Sequence, residues 1–160
     1  MIKLKDILLE GKSPTILVPR RMEDRLDRYI KTFIRTELNN PDAMLDLVDS
    51  DLTEIPEIIK DLEIRGSFRC SYNRLTSLKN SPKSVGGNFL CNDNLLTTLQ
   101  GVPEHIGNNF YCFQNKLKTL EGAPKSVGGN FYCYHNPGKF TKKQIRRVCK
   151  VGVDIWTDFD

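Results

Sequence analysis

A 21-residue repeat restricts what this chain can fold into more than any other feature of its sequence. Three consecutive units, residues 74–94, 95–115 and 116–136, share the pattern x-L-x-x-L-x-x-x-P-x-x-[VI]-G-x-N-F-x-C-x-x-N. A supersecondary unit repeated at a fixed period of about 20–29 residues cannot bury its apolar face alone, so neighbouring units stack. The repeat therefore predicts a solenoid in which each unit forms one coil.

Each repeat predicts one short strand with two inward side chains. Phenylalanine and cysteine lie two positions apart, so both point to the same face of a strand. The pairs are Phe89 and Cys91, Phe110 and Cys112, and Phe131 and Cys133. An asparagine ends each unit where the chain must turn, at Asn94, Asn115 and Asn136. We expect these amides to satisfy backbone groups of neighbouring coils as a buried ladder.

The array extends beyond the three clear units. Upstream, Phe68, Cys70 and Asn73 fit the same frame. A degenerate first coil is predicted from Leu45, Leu47, Ser50, Leu52 and Ile55. Downstream, Val153 and Ile155 follow Phe131 and Cys133 by 22 residues and predict a sixth strand. The repeated Val-Gly-Gly-Asn at 85–88 and 127–130 is interpreted as a turn in the return loop.

Helical caps are predicted at both ends of the stack. Residues 22–38 place apolar side chains on one helical face, and Asn39-Asn40-Pro41 ends that helix. At the other end, Thr141 and Gln144 fit a capping box, and Phe140 and Ile145 fit a hydrophobic staple. Ile145, Val148 and Cys149 are expected to face the last coil. The predicted regions are a leader and linker (1–14), a helical cap (15–43), the repeats (44–136) and a helix–strand cap (137–160).

This pattern resembles the leucine-rich-repeat family, and specifically the short units of bacterial effectors and large tailed phages. The resemblance covers about residues 44–136 and departs from the usual consensus in its inward Phe and Cys. It implies a right-handed α/β leucine-rich-repeat solenoid with a short parallel sheet on the concave face and helical caps. It also implies binding of another macromolecule by that face.

The outward strand residues define the predicted binding face. The residues expected to contact a partner are Arg69, Tyr72, Leu90, Asn92, Asp93, Tyr111, Phe113, Gln114, Tyr132, Tyr134 and His135. Four of the aromatic residues, Tyr111, Phe113, Tyr132 and Tyr134, should cluster on adjacent strands, as in a protein-binding hot spot. The alternatives are that neighbouring rings only support the sheet, or that a cap segment covers them.

Other chemistries have less support in the sequence. Cysteines on successive strands form a line, whereas zinc requires a tetrahedron, so a buried core role is favoured and no metal or cofactor is expected. No motif of nucleophilic or phosphate chemistry is present, and we expect no enzymatic activity. The net charge is +4, and the basic segment 139–150 is the one hint of nucleic-acid binding. A solvated helix face is the favoured interpretation of that segment.

The first ten residues allow two interpretations. Met1–Glu10 is too short and too charged for a secretory signal, so secretion by that route is not expected, and no membrane span is predicted. The segment resembles the capsid-targeting leaders of T-even-like phage internal head proteins, which implies cleavage between Glu10 and Gly11. The alternative is an ordinary N-terminal helix. The leading functional hypothesis is a module that binds a protein, such as one of a bacterial host, in the host cytoplasm or the virion. A virion structural protein and, with less support, a nucleic-acid-binding protein are the alternatives.

Overall fold

Two parallel sheets and two helices form the part of the chain that the structure describes. The computed structural model describes the backbone of residues 19–159 and the side chains of residues 24–159. Helix α1 spans Pro19–Thr36, a 3-10 helix spans Glu57–Ile59, and helix α2 spans Lys142–Val148. One sheet contains β1 (Met44–Asp46), β3 (Ser67–Arg69), β5 (Phe89–Leu90), β7 (Phe110–Tyr111), β9 (Phe131–Tyr132) and β11 (Ile155–Trp156). The other contains β2 (Glu63–Ile64), β4 (Ser84–Val85), β6 (His105–Ile106), β8 (Ser126–Val127) and β10 (Lys150–Val151).

The chain winds as a parallel β-solenoid of about five turns. Successive coils place one strand in each sheet, so odd-numbered strands follow one another in the six-stranded sheet and even-numbered strands in the five-stranded sheet. The predicted solenoid with a parallel sheet is confirmed. The prediction that residues 85–88 and 127–130 only turn is wrong in part, because Val85 and Val127 lie in strands of the second sheet.

Phenylalanine and cysteine columns fill the interior, as the alternation predicts. The rings of Phe68, Phe89, Phe110 and Phe131 are fully buried and follow one another at centroid distances of 5.3, 5.8 and 5.0 Å. These tilted and edge-to-face arrangements are the ones that aromatic rings prefer. The cysteines of the same coils lie beside them as small apolar side chains.

The predicted asparagine ladder is confirmed. The side chain of Asn94 accepts from the Leu75 N–H at 2.9 Å and donates to the carbonyl of Cys70, in the preceding coil, at 2.9 Å. It also donates to the Cys91 carbonyl of its own coil at 3.2 Å. The same pattern recurs at Asn73, Asn115 and Asn136. Each amide therefore joins two coils through polar groups that would otherwise be buried without partners.

A second ladder, which the sequence did not reveal, runs along the start of the strands. The Asn88 side-chain oxygen accepts from the backbone N–H of Asn109 at 3.0 Å, and Asn109 accepts from Asn130 in the same way at 2.8 Å. Asn130 in turn accepts from the Asp154 N–H at 3.1 Å. This ladder gives the asparagine before each phenylalanine a structural role.

A column of glycines lets neighbouring coils lie close together where the strands of the five-stranded sheet end. A Cβ atom at Gly107 would lie 2.0 Å from the carbonyl oxygen of Gly86, and one at Gly128 would lie 2.1 Å from that of Gly107. Gly152 continues the column at 2.0 Å from the Gly128 oxygen. Since these contacts are with backbone atoms, no side chain can move aside to accommodate a methyl group.

The N-terminal end of the stack carries helix α1. Ile30 and Phe33 of this helix are buried in the common core, and the Tyr29 hydroxyl accepts from the Asp46 N–H of β1 at 3.0 Å. The helix ends at Thr36, two residues before the predicted end. The degenerate first coil is confirmed, since Leu45 of β1 lies opposite Phe68 and Leu47 and Ile55 are fully buried.

The C-terminal end agrees with the sequence in its helix but not in its register. Thr141 and Gln144 form the predicted capping box, whereas Val148 is 47% exposed and does not face the last coil. A sixth strand, β11, is present. Its Ile155 lies opposite Phe131, not Cys133, and Val153 is 66% exposed. The predicted register was therefore wrong by two residues, because α2 lengthens this coil to 24 residues.

Of the helices in the described residues, none is long and apolar enough to span a membrane.

Candidate binding face

Register brings the outward residues of the six-stranded sheet into a continuous row. Each residue lies beside the next on the neighbouring strand, in the order Asp46, Arg69, Leu90, Tyr111, Tyr132 and Trp156. Parallel neighbours in a sheet are about 4.8 Å apart, close enough for side chains of successive strands to touch. The row is polar at its N-terminal end and aromatic at its C-terminal end.

Five rings form what we term the aromatic platform: Tyr111, Phe113, Tyr132, Tyr134 and Trp156. Tyr111 and Tyr132 stack at 4.5 Å with an interplanar angle of 3°, and Trp156 continues this stack at 6.0 Å and 14°. Phe113 and Tyr134 stack beside them at 4.6 Å and 10°. The structure thus brings together the four aromatic residues that the sequence analysis expected to cluster, and Tyr72 lies outside this group.

Trp156 is the member of the platform that sequence reasoning missed. It is 53% exposed and lies opposite Tyr132. Its position was hidden because helix α2 lengthens the last coil and displaces the register of β11 from that of the repeats by two residues. The chain contains one tryptophan, so its place at the end of the ring row gives the platform its own spectroscopic reporter.

The rings support one another and remain partly exposed. Because neighbouring rings stack face to face, the stacked faces are covered and the ring edges remain for contact with a partner. Tyr111, Phe113, Tyr132 and Tyr134 are half-buried. Burial raises the pKa of Tyr111, and the neighbouring Tyr132 raises it further. Stacking and exposure therefore coexist on this face, so the two interpretations of these aromatics are compatible.

The N-terminal half of the face is occupied by an internal polar network. Arg69 contacts Asp46 at 3.3 Å. Ser71 donates to the Asn92 side-chain oxygen at 2.6 Å, and Asn92 donates to Asp93 at 2.7 Å. Asn92 is buried, so this predicted contact residue lies within the network. Leu90, half-buried, separates this network from the aromatic platform.

The remaining predicted residues form a border along one side of the platform. Tyr72, Asp93, Gln114 and His135 occupy equivalent positions after their strands, with φ between 50° and 55°. Non-glycine residues rarely adopt this left-handed conformation, and its recurrence marks a shared turn. Tyr72 is 58% exposed. The predicted set thus divides into a platform, a polar network and a border.

The cysteines lie in the core without ligand geometry. Each of Cys70, Cys91 and Cys112 donates weakly from Sγ to a carbonyl of the next coil at 3.4 Å. Among the residues that the structure describes, no group of three or more His, Cys, Asp or Glu side chains could hold a metal ion. Burial raises the pKa of Cys91 and Cys112 well above the ordinary value, and raises that of Cys149 to about 11.

These thiols predict a loss of stability in alkali. A thiol whose pKa is raised on folding contributes its full stability below its unfolded pKa, near 9. That stability is lost as the pH rises toward the folded pKa, by about 1.4 kcal/mol per pH unit for each thiol. Urea unfolding at a series of pH values measures how the free energy of unfolding falls with pH. The series runs from pH 8 to the pKa of Cys149, which is about 11.

The variant Cys112→Ala tests the cause of this slope. Its stability at neutral pH is expected to fall, because a buried side chain becomes smaller. The slope of its free energy of unfolding against pH should be smaller than that of the wild type by about 1.4 kcal/mol per pH unit, since one fewer thiol titrates. An unchanged slope would exclude Cys112 as a source of the alkaline effect.

The five-stranded sheet places one serine and one histidine together. His105 Nδ1 lies 2.8 Å from Ser126 Oγ in a groove of about 780 Å³ that follows the glycine column. The groove's glycine N–H groups donate to the neighbouring coil, as Gly107 does to Val85 and Gly128 to Ile106. Within the described residues, these amides are therefore not directed at a developing oxyanion.

The basic segment lies at the C-terminal end of the solenoid, on helix α2 and strand β10. Lys143, Arg146 and Arg147 of α2 and Lys150 of β10 are exposed. Helix α2 contacts β10 and β11, and its basic side chains form no part of the platform. The predicted processing residues, Glu10 and Gly11, lie outside the described residues.

The fold and this face together define a parallel β-solenoid with one polar-to-aromatic sheet surface. No protein-family model, no curated protein and no solved structure matches the chain.

Proposed function

We propose that this chain is a non-enzymatic module that binds a protein partner through the aromatic platform. The five-ring array carries the proposal. Aromatic residues are enriched at the centres of protein interfaces, where they bury a large area with few rotatable bonds. Here they lie on a rigid sheet whose strands are fixed by two asparagine ladders, so little side-chain entropy remains to be lost on binding.

Stacking geometry favours a protein over a single-stranded nucleic acid as the partner. Bases stack on the faces of aromatic rings, but the faces of Tyr111 and Tyr132 are already 4.5 Å apart. A nucleic acid also requires cations along the same groove. Arg69 is the one arginine in the row and is engaged with Asp46. The nucleic-acid alternative, with its basic residues on α2, therefore has less support than a protein partner, and a virion structural protein remains the other alternative.

We also propose that the repeats are of the leucine-rich-repeat kind and that α1 and α2 act as caps. Leu75, Leu96 and Leu117 recur in the core at the repeat period, which supports the first point. The hydrogen bond from Asp46 to the Tyr29 hydroxyl satisfies a group on the edge strand β1. At the other end Ile145 of α2 is fully buried against the last coil. Both helices cover ends of the stack that would otherwise expose apolar side chains.

The test compares partner capture by the wild type and by a platform variant. The variant carries Tyr111→Ser, Phe113→Ser, Tyr132→Ser and Tyr134→Ser, and a bacterial lysate supplies candidate host proteins. Loss of even two interface aromatics typically weakens binding by about 2 kcal/mol or more, so a specific partner should be retained only by the wild type. Each candidate is then purified, and its affinity for both chains is measured by calorimetry.

A matched control carries substitutions on the opposite sheet. Glu63→Ser, His105→Ser and Lys150→Ser alter exposed residues of the five-stranded sheet and should leave capture unchanged. Circular dichroism and thermal unfolding must show that both variants remain folded. A partner that binds the platform variant and the wild type equally well would contradict the proposal.

A further inference from the structure

Carboxylates surround the aromatic platform. Asp93 lies on its border beside Gln114, and Asp158 accepts from the backbone N–H of His135 at 2.5 Å. Both carboxylates lie near the Tyr134 phenol, whose pKa is raised first by burial and then by Asp93, with a smaller contribution from Asp158. A third carboxylate, Asp154, precedes β11 and accepts from the Ile155 N–H at 2.8 Å. The Trp156 end of the platform therefore lies between two acidic residues of the chain.

The negative charge of this border is not neutralised within the described part of the chain. There, neither Asp93 nor Asp158 forms an ion pair with a lysine or arginine; besides its hydrogen bond from the His135 N–H, Asp158 lies 3.8 Å from His135 Nε2. The cation of the row, Arg69, contacts Asp46. This contrasts with the net charge of +4 over the whole sequence. An acidic border on a basic chain would attract a ligand that most of the remaining surface repels.

The end of the ring row offers a second point of attraction for a cation. Strand β11 is the last strand of its sheet, so the face of Trp156 turned away from Tyr132 has no stacked neighbour from a further strand. Tryptophan is the aromatic side chain that binds a cation most strongly over its face. An arginine or lysine placed there would also lie close to the carboxylates that flank β11.

We propose that the partner presents an extended segment in which arginine or lysine alternates with apolar residues. This inference rests on the proposed function and specifies the chemistry of the segment that the platform binds. The apolar side chains lie along the ring edges, and the cations meet Asp93, Asp158 and the free face of Trp156. In an extended segment alternate side chains point to opposite sides, so the apolar residues face the rings, and the long stems of arginine and lysine let their charged ends reach the carboxylates at the border.

A fluorescein-labelled peptide of four arginines alternating with four leucines provides the probe. Matched peptides replace arginine by glutamine or by glutamate. Fluorescence polarisation gives the dissociation constants, and the emission of Trp156 reports contact at the platform itself. We expect the arginine peptide to bind at least about tenfold more tightly than the glutamine peptide, with an affinity that falls as salt is added.

Charge variants identify the carboxylates responsible. Asp93→Asn with Asp158→Asn keeps the shape and the hydrogen-bond acceptors, and should weaken binding of the arginine peptide about tenfold. The control, Glu54→Gln with Glu57→Gln, changes the net charge by the same amount at exposed residues outside the platform and should have no comparable effect. Trp156→Ala should weaken binding in both the arginine and the glutamine series.

The outcomes separate this inference from the proposed function. Equal binding of the arginine and glutamine peptides, or equal loss in the two charge variants, would overturn the cationic segment. The binding module would still stand if the platform variant alone lost a protein partner. Self-association of the wild type that disappears in the Asp93 and Asp158 variant would also overturn the inference, since the basic helix α2 of a second copy would then be the occupant. Absence of peptide binding together with platform-independent capture would contradict both proposals.

Discussion

Replacing Gly107 by alanine is expected to lower the free energy of unfolding by about 3 kcal/mol, although the change adds only one methyl group. The new Cβ would lie 2.0 Å from the Gly86 carbonyl oxygen and 2.7 Å from its carbon. Relief requires the two coils to separate, which strains the hydrogen bonds from Gly107 to Val85 and from Asn108 to Gly87, at 2.9 and 3.0 Å. For a domain of this size, such a loss corresponds to a decrease in Tm of about 10 °C.

The adjacent residue supplies the control for this prediction. Asn108 is exposed and occupies the position where the flanking coils have Gly87 and Gly129. Asn108→Ala should therefore change the free energy of unfolding by no more than about 0.5 kcal/mol. Thermal and urea unfolding of both variants measure the difference. Similar stabilities for the two would show that the coils can separate without cost at the glycine column.

Replacing Asn115 by alanine is also expected to lower the free energy of unfolding by about 3 kcal/mol, because it removes one amide of the buried asparagine ladder. Its side-chain oxygen accepts from the Leu96 N–H at 3.1 Å, and its nitrogen donates to the carbonyls of Cys91 at 3.0 Å and Cys112 at 3.3 Å. Alanine leaves the buried Leu96 N–H without this acceptor, and the Cys91 and Cys112 carbonyls keep only the bonds from Asn94 and Asn136. The lost hydrogen bonds join the coil of Asn115 to the preceding coil, so hydrogen exchange should show reduced protection in these two coils.

Two variants distinguish lost hydrogen bonds from a general loss of packing. Gln114→Ala alters the exposed neighbour in the same turn and should change the free energy of unfolding by about 0.5 kcal/mol or less. Asn115→Asp keeps the acceptor but loses the donors, and its buried carboxylate should have a raised pKa. That variant should be most stable in acid and lose stability as the pH rises through the unfolded pKa of aspartate, about 4. If Asn115→Ala were as stable as Gln114→Ala, the ladder would have no energetic role.

Residues with a strict period were predictable, because their role depends only on spacing. Phe89 and Cys91 point inward since they lie two apart on a strand, and Asn94 joins two coils since it recurs where the chain turns. The capping box at Thr141 was predictable for a similar reason, since its partners lie within four residues. Four of the five platform rings follow from the same alternation.

The second sheet was hidden because its strands are two residues long and, after β2, each is followed by glycine. Ser84 and Val85 carry too short a pattern to indicate a strand, and Gly86 alone is typical of a turn. The physical reason for the glycine is an approach between coils 21 residues apart, which no local pattern contains. Trp156 was missed for a related reason, since helix α2 adds residues before β11 and so displaces its register from that of the repeats.

Uniform spacing in the middle of the chain has a consequence for length. Phe68, Phe89, Phe110 and Phe131 lie opposite one another at intervals of 21 residues, whereas the first interval, from Leu45 to Phe68, is 23 and the last, from Phe131 to Ile155, is 24. A deletion of residues 95–115 would join Asn94 to Lys116 with every column still aligned. A deletion one residue shorter would turn the inward residues of the next strand outward. The length of this solenoid can therefore change only in steps of one whole interior coil. Larger or smaller versions should gain or lose complete 21-residue coils, while the first and last coils keep their own lengths.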